Sequence, residues 1–219
     1  MARRGDVVEN PLTGERVTFL ETVGDTGGDL LRFEYALPPG WFVPTHIHPR
    51  QEERHEVLSG TLRGRVGGQE RDHGEGRMVV GPPGVPHAWR NPSDEEELLL
   101  VSELRPALHM EDLLELGPLI MGDLKRDKIG APKHLLRLAV LTSEAKEDFY
   151  FTHRHIRVSL ALFGALGSSG RLLGYEASRE AVSRSEGQGR LSPEAVGGVA
   201  LVAALALLVL RRRGRLRTR

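Results

Sequence analysis

The first half of the chain carries short apolar runs that glycine and proline residues interrupt. Between Leu31 and Tyr35, apolar side chains alternate with polar ones, which is typical of a strand with one buried face. Short runs at this spacing favour a sandwich or barrel of antiparallel strands over a helical bundle. The predicted strands lie at residues 17–20, 30–35, 57–66, 78–80 and 97–101.

The period of the apolar pattern changes after residue 104. Residues 110–116 and 134–141 carry apolar side chains at helical spacing, and residues 156–173 do so more loosely. We therefore expect a β-barrel in residues 1–104 and a helical extension packed on it in residues 105–175. Residues 176–194 are rich in Ser, Glu, Gly and Arg, and this composition predicts a flexible linker.

The C-terminal segment 195–219 combines an apolar run with a basic end. Residues 195–210 are unbroken by charge, and six Arg follow in the last nine residues. The run is shorter than the roughly 20 residues that span a bilayer. Membrane association, a buried helix and an irregular extension all remain open. Because the N-terminus is polar and no apolar signal segment follows it, the sequence predicts a cytoplasmic protein, with membrane attachment through 195–219 left open.

Charge and composition limit the partners and the metal ligands that the chain can have. The chain has 30 basic and 30 acidic residues, but the six terminal Arg leave the rest of it acidic. An acidic body without a helix-turn-helix pattern argues against nucleic-acid binding. The chain has no cysteine, so a metal ion would have to be held by His and carboxylate side chains.

A set of three histidines and one glutamate has metal-ligand character. His46 and His48 are two residues apart, so on a strand both side chains point to the same face. Glu53 follows shortly after them, and His87 follows a proline-rich turn at 82–86. Three imidazoles and one carboxylate suit a divalent Fe, Mn, Zn, Ni or Co ion, with coordination positions left open for water or substrate.

These residues lie in two gapped patterns that resemble the two motifs of the cupin superfamily. The resemblance covers about residues 15–104. It implies a mainly β fold, a cupin-like antiparallel β-barrel or jelly roll, here followed by a C-terminal α-helical extension. It also implies that His46, His48, Glu53 and His87 hold one metal ion. The first pattern consists of Gly40, His46, His48, Glu53 and Gly60, and the second of Gly76, Pro82, Gly84, His87 and Asn91.

Several neighbouring residues leave alternatives open. Glu52 competes with Glu53 as the acidic ligand, and on a strand only one of them faces the barrel interior. If Glu53 faces inward, His55 shares its face, either as an acid or base near the pocket or as a packed residue. Trp89 shares the face of His87, where a core role is favoured over a pocket wall.

The remaining histidines show no ligand pattern. His153 and His155 repeat the two-residue spacing without an accompanying acid, which favours a solvated position at a helix entry. His73 and His109 have no partner in the sequence pattern. None of these four residues is predicted to bind a metal ion.

Two classes of function remain open from the sequence. The first is a metal-dependent enzyme that acts on a small oxygenated molecule, with dioxygenase, isomerase or decarboxylase chemistry. The alternative is a non-catalytic module that binds or senses a small ligand or a metal ion. His55 is the candidate acid or base outside the ligand set. The partner is expected to be a small molecule rather than nucleic acid, and a homodimer is left open.

Overall fold

The computed structural model describes residues 1–126, 131–152 and 164–175. Within these residues the chain is mainly β, and its longer helices come after residue 109, as the sequence predicts. The strands are β1 (Val7–Glu9), β2 (Arg16–Glu21), β3 (Leu31–Leu37), β4 (Phe42–Ile47), β5 (Glu52–Ser59), β6 (Leu62–Val66), β7 (Gln69–His73), β8 (Met78–Gly81), β9 (His87–Arg90), β10 (Leu98–Arg105) and β11 (Tyr150–Phe151). The helices are α1 (Val23–Thr26), α2 (Met110–Arg126) and α3 (Ala131–Glu144), followed by a 3-10 turn at Ala145–Glu147.

The strands form two antiparallel sheets. One has the order β1-β2-β3-β10-β5-β8 and the other the order β11-β4-β9-β6-β7. Buried side chains of both sheets meet in one core, because Val57 and Leu100 from the first pack with Leu62 and Trp89 from the second. The sheets face each other as a jelly roll whose hydrogen bonding does not close into one continuous barrel. The predicted mainly β, jelly-roll class is confirmed.

Gly60 divides the apolar run at 57–66 into two strands, β5 and β6. Its φ of 86° lies in the left-handed region, which residues with a side chain rarely adopt. A Cβ atom at this position would also lie 3.3 Å from the carbonyl oxygen of Glu97. The chain therefore turns at Gly60 and passes from one sheet to the other.

Two strands of the five-stranded sheet carry no clear alternating pattern. The β7 strand is polar along its length, and four of its five residues are exposed. The β4 strand contains Pro44, and its pairing with β9 shifts register between Val43 and His46. Proline lacks an amide hydrogen for the ladder, so an irregularity at this point is expected.

The α2 helix packs against α3 and against the six-stranded sheet. Leu116 and Ile120 of α2 form a buried cluster with Leu141 of α3. Met110 and Leu114, at the start of α2, pack on the sheet cluster. Residues 164–172 are also helical, within the region predicted at 156–173, and residues 153–163 lie outside the described residues.

The predicted linker at 176–194 and the apolar, Arg-ended segment at 195–219 both lie outside the described residues. Among the helices that the structure does describe, none combines the length and the apolar character needed to cross a membrane.

Candidate metal centre

Four side chains from opposite sheets converge on one point. Ligand atoms of His46, His48, Glu53 and His87 all lie within 4.8 Å of one another. The Glu53 Oε2 atom is 3.0 Å from Nε2 of His87, 3.4 Å from Nε2 of His46 and 3.7 Å from Nε2 of His48. This group, called the four-residue cluster below, has the size and composition of a site that could hold a metal ion.

The cluster bridges the two sheets. His46 on β4 lies opposite His87 on β9 within the five-stranded sheet. Glu53 comes from β5 in the six-stranded sheet, where it lies opposite Gly81 of β8. His48 follows directly after β4. An ion held by all four residues would therefore tie the sheets together at one end of the sandwich.

Gly81 makes space for the imidazole of His87. A Cβ atom at position 81 would lie 2.9 Å from the His87 Nδ1 atom and 3.0 Å from its Cε1 atom. Cβ atoms do not approach other atoms so closely, so any larger residue would displace the ring. The missing side chain at Gly81 thus helps to set the position of His87.

Two of the imidazoles are oriented by carbonyl groups two residues before them. The His46 Nδ1 atom lies 2.9 Å from the carbonyl oxygen of Pro44, and the His87 Nδ1 atom lies 2.8 Å from that of Val85. A carbonyl can only accept, so each Nδ1 carries the hydrogen and donates it. When either ring is neutral, its Nε2 atom therefore carries the lone pair that a metal ligand needs, whereas a protonated ring donates from Nε2 to Glu53.

His48 is oriented in the same way, but by a residue far along the chain. Its Nδ1 atom donates to the carbonyl oxygen of Asp148 at 3.2 Å. The Asp148 carboxylate accepts hydrogen bonds from the His109 amide at 3.0 Å and from His109 Nδ1 at 2.8 Å. Arg50 lies 3.5 Å from its other oxygen. The segment after α3 is therefore anchored where it contacts His48.

Glu53 is held by two further side chains. The Trp89 indole donates to Oε2 at 2.9 Å. His55 Nε2 lies 3.1 Å from Oε1, while His55 Nδ1 lies 2.8 Å from the Ser102 hydroxyl. Both ring nitrogens of His55 are thus engaged with protein groups. Trp89 is buried in the core and also lines the cavity beside the cluster, so it fills both of the roles considered for it.

Glu52, the alternative acidic residue, lies away from the cluster. Its Oε1 atom accepts a hydrogen bond from the Arg54 guanidinium at 2.5 Å. Because successive side chains of a strand point to opposite faces, Glu53 and His55 face the interior while Glu52 and Arg54 face outward.

Burial and mutual contacts shift the pKa values within the cluster. Burial disfavours the ionised form of Glu53, but the charge of His55 and hydrogen bonds from His46, His55 and His87 outweigh it and hold the pKa of Glu53 well below its usual range. Burial lowers the pKa of His48 to about 4, although the negative charge of Glu53 acts in the opposite direction. The His48 imidazole is therefore neutral at physiological pH. Burial also acts to lower the pKa of His46, but the hydrogen bond and charge of Glu53 prevail and raise it. Metals bind an ionised carboxylate and neutral imidazoles, so the pKa shifts of Glu53 and His48 favour metal binding, and the shift of His46 opposes it.

A cavity of about 200 Å³ adjoins the cluster. His46, His48, Glu53 and His55 lie along one side of it, and apolar side chains form the rest of its wall. Phe149 and Phe151 stand over the imidazoles, with ring centroids 5.8 Å from His48 and 6.1 Å from His46 respectively. The open side of the cluster therefore faces a small apolar space.

The other histidines take different places. His73 lies at the end of β7, opposite Leu62. His109 contacts Asp148, as described above, and so supports the cluster indirectly. His153 and His155 lie outside the described residues.

Sequence reasoning missed Asp148, Phe149 and Phe151. These residues lie between the predicted helical regions 134–141 and 156–173 and belong to neither gapped pattern. The signal available was the aromatic triplet at 149–151, which is unusual in a chain with 5% aromatic residues.

The fold and the site together define a jelly roll with a histidine and carboxylate cluster at one end. Residues 33–102 match the family model described as the cupin domain. The family model thus shows a cupin domain over about a third of the chain. No curated protein matches the chain.

Solved structures with a similar fold come from several bacteria. A predicted oxalate decarboxylase of Thermotoga maritima is 18% identical, with 48% of this chain and 99% of that chain covered and a TM-score of 0.42. A sugar phosphate isomerase of Silicibacter pomeroyi is 20% identical, with 46% and 70% covered and a TM-score of 0.39. A protein of Thermus thermophilus is 27% identical, with 48% and 90% covered and a TM-score of 0.37. None of these likenesses informs the activity of the chain.

Proposed function

We propose that the chain binds one divalent metal ion through His46, His48, Glu53 and His87 and uses it to bind and transform a small oxygenated molecule. The observation that carries this proposal is the convergence of four donor atoms within 4.8 Å. Each of the three imidazoles is also oriented through its Nδ1 atom by a backbone carbonyl. Such outer contacts are typical of metal-ligating histidines, because they fix the tautomer and the ring orientation.

The donor set fits first-row divalent ions. Imidazole nitrogens and a carboxylate oxygen suit Fe, Mn, Zn, Ni or Co, and no thiolate competes. An ion held by these four residues would supply Lewis-acid chemistry beside the cavity, which would suit dioxygenase or isomerase reactions. The protein excludes water with apolar walls, orients the imidazoles and holds the Glu53 carboxylate through Trp89 and His55.

Elemental analysis of the full chain, purified without added metal, tests the site directly. We expect one divalent ion per chain, and loss of that ion in His46→Ala and His87→Ala. Oxygen consumption during a screen of small alcohols, phenols and ketones then separates dioxygenase from isomerase chemistry. A native chain that takes up no divalent ion, or a His87→Ala variant with full occupancy, would contradict the ligand assignment.

A second candidate function is a non-catalytic binding module. The observation that favours it concerns His55, whose two ring nitrogens face Glu53 and Ser102 rather than the cavity. Among the described residues that line the cavity, His55 is the one histidine outside the four-residue cluster. Ligand binding without turnover for any metal in the series above would support this alternative.

A further inference from the structure

The cavity beside the four-residue cluster has a composition that restricts its ligand. Opposite the cluster, its wall is formed by aliphatic and aromatic side chains from both sheets and from α2. Among the described residues that line it, none is a lysine or an arginine. Representative wall residues are Leu37, Val43, Leu100, Leu104, Met110 and Leu114.

The charges in the cavity limit the charge of the ligand. A divalent ion together with the Glu53 carboxylate leaves one net positive charge, which can pair with one anionic oxygen. A second anionic group on the same ligand would lie against apolar walls, where it would lose its hydration without gaining a partner. Dicarboxylates and phosphate esters are therefore disfavoured.

The size of the cavity limits the ligand to a compact molecule. Its volume is about 200 Å³. An engineered apolar cavity of about 150 Å³ in another protein binds benzene, so this space suits one ring with a short substituent. Aromatic side chains on several sides, including Trp41, Phe149 and Phe151, supply flat surfaces for such a ring.

Tyr35 provides a polar group in this otherwise apolar wall. Its ring contacts those of Phe33 and Trp41 edge to face, with centroids 5.5 Å apart in each pair. Burial, with added repulsion from Glu15 and Glu53, raises the pKa of Tyr35 well above its usual value. The hydroxyl thus stays protonated, so Tyr35 adds no negative charge to the wall.

We propose that the ligand of this cavity is a compact apolar molecule with a single oxygen donor, of the size of a one-ring alcohol or phenol. The oxygen is directed to the metal position, and the ring lies between the sheet walls and the cover formed by Met110, Leu114, Phe149 and Phe151. This inference rests on the proposed metal site and names the substrate class of that site.

Calorimetry on the full chain loaded with zinc tests this ligand class. Zinc is redox-inert, so binding is measured without oxygen chemistry. We expect benzyl alcohol to bind about tenfold or more tightly than terephthalate or glucose phosphate, which bring charges that the walls cannot pair. Biphenylmethanol, which keeps the alcohol but adds a second ring, should bind about tenfold more weakly than benzyl alcohol because it exceeds the cavity.

Intrinsic fluorescence locates the bound molecule. The chain has two tryptophans, Trp41 and Trp89, and both line the cavity. Benzyl alcohol should therefore change the tryptophan emission along the same saturation curve that calorimetry gives. Binding that leaves the emission unchanged would place the alcohol elsewhere and overturn the assignment.

A pair of variants on one helix provides the matched control. Leu114→Trp adds bulk at the cavity wall and should weaken benzyl alcohol binding by about tenfold. Leu119→Trp adds the same bulk on α2 at a side chain that is 39% exposed, and should leave binding unchanged. The ligand series on the native chain decides the question even if Leu114→Trp fails to fold.

The outcomes separate this inference from the proposed function. A chain that takes up zinc but binds terephthalate or glucose phosphate as tightly as benzyl alcohol, or binds none of the four molecules, overturns the ligand class alone. If biphenylmethanol binds as tightly as benzyl alcohol, the proposed limit on ligand size is wrong. A chain that takes up no metal overturns the metal site, and benzyl alcohol binding to the metal-free chain then still tests the cavity.

Discussion

The two sides of the cavity come from different parts of the chain. The four-residue cluster lies in residues 46–87, within the segment that matches the cupin family model. The cover, formed by Met110, Leu114, Phe149 and Phe151, lies beyond that segment. The cluster is polar and held by directed hydrogen bonds, whereas the cover is apolar and held by packing.

Because the cluster and the cover are built differently, we expect metal affinity and ligand selection to depend on different residues. Metal affinity should depend on the cluster and on the groups that orient it. Ligand selection should depend on the cover, which touches the cluster but supplies none of its donor atoms. Substitutions in one region should therefore change metal affinity or ligand selection without changing the other.

The largest effect is expected at the acidic residue of the cluster. Glu53→Ala removes one donor atom and should lower metal affinity by about a hundredfold or more, since even outer-shell changes cost about 10–100-fold. Glu52→Ala is the matched control, because its side chain points outward to Arg54. Metal titration by calorimetry measures both variants. Greater metal loss in Glu52→Ala would show that the wrong carboxylate has been assigned.

A single methyl group behind the cluster should also disturb it. Gly81→Ala places a Cβ atom 2.9 Å from the His87 ring, which must shift, so we expect a loss of about 1–3 kcal/mol in unfolding free energy together with weaker metal binding. Gly74→Ala, where a Cβ would meet no atom within 4 Å, is the control. Denaturant unfolding and metal titration report the two effects. Equal behaviour of both variants would rule out steric control by Gly81.

Changes in the cover should alter ligand binding more than metal binding. The double variant Phe149→Ala/Phe151→Ala removes two rings over the imidazoles, and benzyl alcohol affinity should fall on the order of tenfold. Metal content should persist, because the carbonyl of Asp148 that orients His48 belongs to the backbone. Tyr150→Ala, between them and 39% exposed, is the control. Loss of the metal ion in the double variant would show that cover and cluster form one unit.

The smallest effect is expected far from both regions, on the hairpin of β6 and β7. The hydrogen bond from Arg63 lowers the pKa of Asp72, so this pair stabilises the fold above the pKa that Asp72 has in the unfolded chain. The contribution should disappear as the pH falls through the lowered pKa of the folded state. Asp72→Asn should therefore melt slightly below the native chain near neutral pH and together with it in acid, with metal content unchanged. A difference in melting temperature between the two chains that increased in acid would contradict this assignment.

The gapped spacing of the cluster residues made the site predictable from the sequence. Strand parity placed His46 and His48 on one face and favoured a single acid between Glu52 and Glu53. These inferences work because side-chain direction along a strand depends only on local geometry. The structure accordingly brings His46, His48, Glu53 and His87 together.

The cover could not be predicted in the same way. His48 and Asp148 are 100 residues apart, and nothing in the local pattern of residues 145–152 indicates which surface they contact. The β7 strand was missed for a different reason, because its residues are polar and mostly exposed and so lack the alternation that identifies strands. Contacts between distant residues, and the pairing of strands that face solvent, are not indicated by the local pattern of a single sequence.

The β11 strand lets the extension cover part of an edge of the five-stranded sheet. This strand is two residues long and occupies the outer edge of β4, opposite His46 and Ile47. Without it, the unpaired amide and carbonyl groups of β4 would be available to a strand of another molecule, a common route to aggregation. The opposite edge, β7, is protected by charged side chains at Glu70, Arg71 and Asp72. One edge of this sheet is thus protected by charge and the other by a short strand from the distant extension.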